Sequence, residues 1–337
     1  MTQPERRLEA PHRRLESSPR LIEKAAVVGY RTTAVVLAHV PPGLSRAVIG
    51  GFSQLGYLLW PAKRRWSNQN FGHVLGLPPD HPRVRRMALR AYREYATYTV
   101  ELMRLPSRPK AEVSSLVEGE GMDRIVASWQ ASGRASIVVA GHVGNNEAVA
   151  AAVAWRGLPA NVVADDSSFP EIFEILRRQR ESWGVHVVPW RNLRELFKVL
   201  RNNEIMALLV DWGYRSDGIP VKLFGAWTTL PAGPAMLAAK TGALIMPMAV
   251  RRTPTGHFHV DADEAFGVPS SNPADLQRAT QRIADALQRT IAAAPEQWYS
   301  FKPIWPSDPV EAAELEARAA TMLAADVAVK TETAGRS

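Results

Sequence analysis

The chain contains no cysteine in its 337 residues. Disulfides, thiolate metal sites and cysteine nucleophiles are therefore excluded at the outset. It also lacks a long apolar run. The two least polar stretches, 32–45 and 47–62, are separated by Arg46, and Pro41-Pro42 interrupts the first. Both fall short of the ~18 to 20 apolar residues that span a bilayer as a helix. No secretory signal is expected, because the apolar segment begins late and has no clean cleavage site. The phosphate loop G-x-x-x-x-G-K-[ST], the dinucleotide loop G-x-G-x-x-G, the zinc motif H-E-x-x-H and the nucleophile elbow G-x-S-x-G are all missing. Nucleotide hydrolysis, dinucleotide redox chemistry, zinc proteolysis and ordinary serine hydrolysis lose their usual signatures with them. No internal repeat is present.

Acidic residues are scarce in one region only. Residues 1–110 hold 19 Lys or Arg against 7 Asp or Glu, a balance of +12, so with a total of +8 the remainder stands at −4. Basic charge is thus an N-terminal property, suited to nucleic acid or to an anionic membrane surface. The neighbouring residues favour the membrane. The segment 47–62 carries Val48, Ile49, Phe52, Leu55, Leu58, Leu59 and Trp60 and runs into Lys63-Arg64-Arg65, the composition of a helix lying in the interface; a buried helix with a basic end is the alternative. Arginines interleave with tyrosines on an expected helix over 82–103, but no nucleic-acid-binding motif accompanies them.

Four regions are expected: a disordered basic tail over 1–20, a helical membrane-associating region over 21–110, an α/β domain over 111–306, and a polar helix and loose end over 307–337. Within the third, candidate strands at 136–140, 161–164, 185–188, 205–210, 244–250 and 257–260 alternate with helices at 147–155, 171–183, 193–201, 233–240 and 276–293. Alternation of this kind predicts an α/β fold with a mostly parallel central sheet flanked by helices, preceded by the amphipathic helical extension. Chemistry in such sheets gathers at the carboxyl ends of strands. His142, Asp211 and Pro247 stand at such ends in this reading.

The stretch Gly141-His142-Val-Gly-Asn145-Asn146-Glu147 reads as strand, turn and helix. On one regular helix His142 and Glu147 would lie about 140° apart. They meet only if the histidine occupies the turn, where the carboxylate would orient one ring nitrogen and leave the other as a base. A solvated loop histidine before an ordinary first-turn glutamate fits the same residues. Arg180, near a helix end, is either a site residue or a solvated cation. Asp211, after an apolar strand, is a site candidate or a cap. Phe224-Gly225 and Pro231-Ala-Gly233-Pro-Ala form a turn into a helix whose backbone donors suit an anion.

These motifs, with Trp183-Gly184, Thr241-Gly-Ala and a closing Pro-Glu-Gln-Trp, resemble in order and over about residues 21–305 the bacterial lipid A biosynthesis acyltransferase family of the lysophospholipid acyltransferase superfamily, which is related to phosphatidylinositol mannoside acyltransferases. The resemblance implies acyl transfer from an acyl thioester, acyl-CoA or acyl carrier protein, to a hydroxyl of a membrane glycolipid at the cytoplasmic face of the plasma membrane. It implies no metal and no resident cofactor. It casts His142 and Glu147 as a general-base dyad, and Gly141, Asn145, Asn146, Arg180, Asp211, Phe224, Gly225, Pro231 and Gly233 as substrate-binding. Mannoside acyltransferases usually carry aspartate in place of Glu147 and the lipid A branch often glutamate, which leaves the acceptor open. A noncatalytic lipid-binding protein and a thioesterase using the dyad on water are the rival readings.

Overall fold

The computed structural model describes residues 17–166 and 170–334. The expected tail lies outside them as far as residue 16, as do the last three residues. Four helices come first: α1 (Ser17–His39), α2 (Pro42–Leu59), α3 (Pro61–Leu75) and α4 (Pro82–Arg104). Prolines 42, 61 and 82 each start a helix at the position where a missing N–H does no harm. A 3₁₀ turn and α5 (Lys110–Leu116) lead into β1 (Val117–Glu118), α6 (Gly121–Ser132), β2 (Ser136–Ala140), α7 (Asn146–Trp155), β3 (Ala160–Ala164), α8 (Pro170–Ser182), β4 (His186–Pro189), α9 (Leu193–Arg201) and β5 (Ile205–Leu209). The hairpin β6 (Ile219–Leu223) and β7 (Ala226–Leu230), α10 (Gly233–Thr241), β8 (Leu244–Arg252), β9 (Phe258–Ala262), α11 (Pro273–Ala293) and α12 (Pro309–Ala334) complete the chain.

Seven strands form one sheet in the order β1-β9-β8-β2-β5-β3-β4, parallel except for β8 against β9. The central strand β2 is buried throughout, as a parallel strand covered on both faces must be. Its residues alternate between two cores: Ile137 and Val139 join α9, α10 and α11, while Val138 and Ala140 join α5, α6 and α7.

Two expectations are corrected here. Pro247 is interior to β8 and not at a strand end. Its missing N–H falls where β8 leaves the ladder with β2, whose last pair is Val139 with Pro247, and β8 then continues against β9. Phe224-Gly225 does not lead directly into a helix. The two residues are the left-handed tip of the β6–β7 hairpin, at φ 48° and 76°, a geometry matched to strand twist. Pro220 and Lys222 break the apolar run that would have revealed β6.

Helix α2 has an inverted polarity. Polar groups of α2 face inward: Ser53 Oγ donates to the Tyr92 carbonyl (2.7 Å), Gln54 Nε2 to that of Leu89 (3.3 Å), and Tyr57 Oη to Asn68 Oδ1 (2.9 Å). Val48, Phe52, Leu55 and Leu59 of the same helix face outward, Phe52 70% and Leu59 72% exposed, with Trp60 beside them. Among the described residues no helix is long and apolar enough to cross a membrane. At the other terminus, α12 packs on α11 and the hairpin, burying Leu315 and Ala319.

Candidate active site

β2 and β5 are neighbours in parallel register, Ala140 opposite Leu209, and Val210 N extends the ladder to the Ala140 carbonyl at 3.0 Å. Both strands therefore end at the same level. The residues just beyond them, His142 and Asp211, are brought face to face. His142 Nδ1 lies 2.6 Å from Asp211 Oδ1, and the His142 backbone N–H donates to both carboxylate oxygens, at 3.0 and 2.9 Å. The Trp298 indole N–H reaches Oδ2 at 2.8 Å. Asp211 is 2% exposed. Burial alone would raise its pKa, but the His142 charge and the hydrogen bonds from His142 and Trp298 outweigh it and hold the carboxyl below its ordinary value. An ionised Asp211 accepts a hydrogen bond from the Nδ1–H of the imidazole, which leaves Nε2 as the nitrogen with a lone pair. Nε2 has no hydrogen bond among the described residues, and the ring is partly open to solvent beneath Trp212, 5.5 Å between centroids.

The expected His142–Glu147 contact is not what forms. Glu147 makes a two-pronged pair with Arg180, Oε2 to Nε at 2.9 Å and Oε1 to Nη2 at 2.6 Å, both side chains largely buried. The helix frame explains the difference. Asn145 caps α7 by accepting from Ala148 N (3.1 Å), which puts Glu147 in the first turn, directed toward the end of α8 where Arg180 waits. His142 sits earlier, in the turn, and meets the end of β5 instead. Burial works against the Arg180 charge, yet the adjacent Glu147 carboxylate more than compensates, leaving the guanidinium more firmly protonated than usual. Tyr30, near this pair, is pushed up to about 12, by burial first and by Glu147 second.

The remaining expected residues divide in two. Gly141, Asn145 and Asn146 shape the turn. A Cβ on Gly141 would come 2.5 Å from Leu287 Cδ1, a side-chain end that must turn aside, and 3.1 Å from Asp211 Oδ2, so a side chain there crowds the carboxylate. Asn146 Nδ2 ties back to the Gly141 and Val143 carbonyls, and Asn145 Nδ2 donates to Glu101 on α4. In contrast, Phe224, Gly225, Pro231 and Gly233 make no hydrogen bond to His142, Glu147, Arg180 or Asp211 among the described residues; Phe224 N donates instead to Gln288 of α11.

An apolar cavity enters the molecule between α6, α7 and the sheet, and reaches the strand ends at Ala140 and Leu209, two residues short of His142 and Asp211, which do not line it. Asn146, Glu147 and Arg180 stand among its lining, and Ile125, Val149, Ala150, Val153, Val162 and Leu208 are among its apolar walls. An imidazole with a free nitrogen, at a strand end next to a greasy slot, suits transfer of a long-chain group. The family model described as bacterial lipid A biosynthesis acyltransferase matches residues 22–307. The chain belongs to the bacterial lipid A biosynthesis acyltransferase family. It is similar to the phosphatidylinositol mannoside acyltransferase of Mycobacterium tuberculosis (strain CDC 1551 / Oshkosh), 28% identical over 258 residues, 74% of this chain and 79% of the relative. It is also similar to the protein of that name from Mycolicibacterium smegmatis, 25% identical over 291 residues, 83% of this chain and 91% of the relative.

For a member of this acyltransferase family, the site residues that sequence reasoning missed are Trp212 and Trp298. Trp212 follows Asp211 directly, and Lys302 Nζ lies 3.7 Å over its ring. Trp298 belongs to the closing Pro-Glu-Gln-Trp, which marked the resemblance without suggesting a contact to a carboxylate 87 residues away.

Proposed function

We propose that this acyltransferase moves a fatty acyl chain from an acyl thioester, acyl-CoA or acyl carrier protein, to a hydroxyl of a membrane glycolipid of the phosphatidylinositol mannoside or lipid A type. The observation that carries the reading is the free Nε2 of His142, its ring held by Asp211, with an apolar cavity that reaches Ala140 and Leu209 at the ends of the same two strands. In this mechanism Nε2 takes the proton of the acceptor hydroxyl as that oxygen attacks the thioester carbonyl. Asp211 holds the tautomer and stabilises the imidazolium that forms. The tetrahedral intermediate collapses, the C–S bond breaks, and the imidazolium returns its proton to the thiolate. Glu147 and Arg180 order the opening turn of α7, whose backbone N–H groups supply the oxyanion donors. The acyl chain lies in the cavity. No metal is needed for any of these steps.

The outward apolar face of α2, continued by Trp60 and by Lys63, Arg64 and Arg65 of α3, supports attachment to the anionic cytoplasmic face of the plasma membrane. Attached this way, the enzyme meets its acceptor without extracting it. His142→Ala tests the mechanism. Loss of a general base lowers the rate ~10² to 10⁴-fold, and a variant with native turnover would refute the assignment. Thiol release at the full rate without acceptor would point to a thioesterase, and no release under any condition to a noncatalytic lipid-binding protein.

A further inference from the structure

The Asp211 side chain hangs from a loop, beyond the last ladder bond of β5. Its position depends on the donors around it. One oxygen, Oδ1, is taken by the imidazole and shares the His142 backbone N–H; the other has that shared N–H and a single further donor, the Trp298 indole at 2.8 Å. Trp298 is wholly buried, its ring wedged edge-on against Phe71 (5.8 Å) and Trp305 (6.4 Å). The indole is therefore a fixed donor.

The same stretch also grips the other half of the dyad. Val143 and Trp298 form an antiparallel bridge. Tyr299 N donates to the His142 carbonyl at 2.8 Å, and Gly144 N donates to the Gln297 carbonyl at 3.3 Å. Gln297 is itself locked to β8: Arg252 N donates to its Oε1 (2.6 Å) and its Nε2 donates to the Arg252 carbonyl (2.9 Å). One short segment thus fixes the histidine through its backbone and the aspartate through its indole.

We propose that Trp298 is a positioning residue of this site: its indole N–H holds Asp211 against His142 and moderates how strongly the carboxylate attracts the imidazole proton. The inference rests on the reading of His142 as the general base. A carboxylate relieved of one donor is a stronger partner for the imidazolium, so removing the indole N–H should hold the proton on His142 to higher pH and leave the dyad looser.

The test is Trp298→Phe, with Phe71→Leu as a control that loosens the same packing but keeps the indole. The His142 ring is titrated by nitrogen NMR in the substrate-free protein, and the pH profile of kcat/KM is recorded separately. For Trp298→Phe the ring titration and the acid limb should both move to higher pH, by about half a unit, while kcat falls roughly 10-fold and KM holds within about two-fold. Phe71→Leu should move neither. An unmoved titration in Trp298→Phe, or an equal movement in Phe71→Leu, overturns the proposal. If Trp298→Phe does not fold, protein labelled at the indole nitrogens is used in a Trp212→Phe background, since Trp212 also lies against His142. One indole resonance must then follow the His142 titration and cease to follow it in Asp211→Asn; if none does, the proposal fails. The ring titration needs no substrate, so its outcome is separate from whether the protein transfers acyl groups, which His142→Ala decides.

Discussion

Asp211→Asn should be far more damaging than its near-identity of shape suggests. The Asp211 oxygens accept from three donors: His142 Nδ1, the His142 backbone N–H and the Trp298 indole. An asparagine offers one oxygen and one NH₂ in their place. If the NH₂ faces Trp298, two donors collide in a buried site. If it faces His142, it donates to Nδ1, and the imidazole must carry its proton on Nε2, where it can accept none from a hydroxyl. The second orientation avoids the collision and removes the base. In a serine triad the equivalent reversal of tautomer lowers kcat about 10⁴-fold, and a loss of ~10³ to 10⁴-fold is expected here. Glu147→Gln, by contrast, weakens a pair with Arg180 that does not touch the imidazole. It should destabilise the fold by about 2 to 4 kcal/mol and slow turnover by about 10-fold or less, through disorder of the α7 turn. The assay is release of the donor thiol, read with a disulfide-type thiol reagent. Because the enzyme has no cysteine, only product reacts. If Asp211→Asn turned over like the native protein, or if Glu147→Gln were the more harmful of the two, the assignment of the orienting carboxylate would be refuted.

Phe52→Glu combined with Leu59→Glu should weaken binding to anionic vesicles by at least about 10-fold, given ~1.5 to 3 kcal/mol per buried large apolar side chain; cosedimentation unchanged from native would reject the α2 face as the attachment surface. Raising salt should weaken native binding as well, through Lys63, Arg64 and Arg65. Ala150→Phe, which fills part of the cavity wall, should shift preference toward shorter acyl donors, by about four-fold in kcat/KM for each methylene excluded at ~0.8 kcal/mol each. An unchanged chain-length profile would place the acyl chain elsewhere. For pH, burial pushes Tyr30 up to about 12 and raises Tyr98 too. Neutral phenols favoured by the fold stabilise it in full below the ordinary value of 10, and that stability is lost as the pH climbs through about 12. The depressed Asp211 acts at the other end: its contribution is present above the ordinary carboxylate range and disappears as pH falls through the lowered value. Thermal melting from pH 3 to 12 should show both declines, and a melting temperature flat above pH 10 would contradict the burial of the tyrosines.

Local pattern made the scaffold readable. The β-branched run before Gly141 and the alanine-rich segment after Asn145 announce β2 and α7 in their own residues, and helix α9 appears with the bounds its periodicity gives. The hairpin was harder, because β6 breaks its alternation with Pro220 and Lys222. Site partners were hardest of all. Five residues of separation made Glu147 the natural partner for His142, whereas Asp211 is 69 residues away and reaches it only because β5 pairs with β2. Trp298 arrives from further still, by a bridge that no local composition foretells.

The pairing of β2 with β5 has a consequence of its own. His142 and Asp211 are each tethered within two residues of a strand end, so the ladder between the strands is the ruler that sets their 2.6 Å separation. A slip of one rung, ~3.3 Å, would pull them out of contact while every side chain of the site stayed intact. On the proposed mechanism the precision of the chemistry is therefore stored in the dry interior of the sheet, among Ile137, Val139 and Met206. Repacking there would act as a detuning of the enzyme, felt in turnover before it is felt in folding.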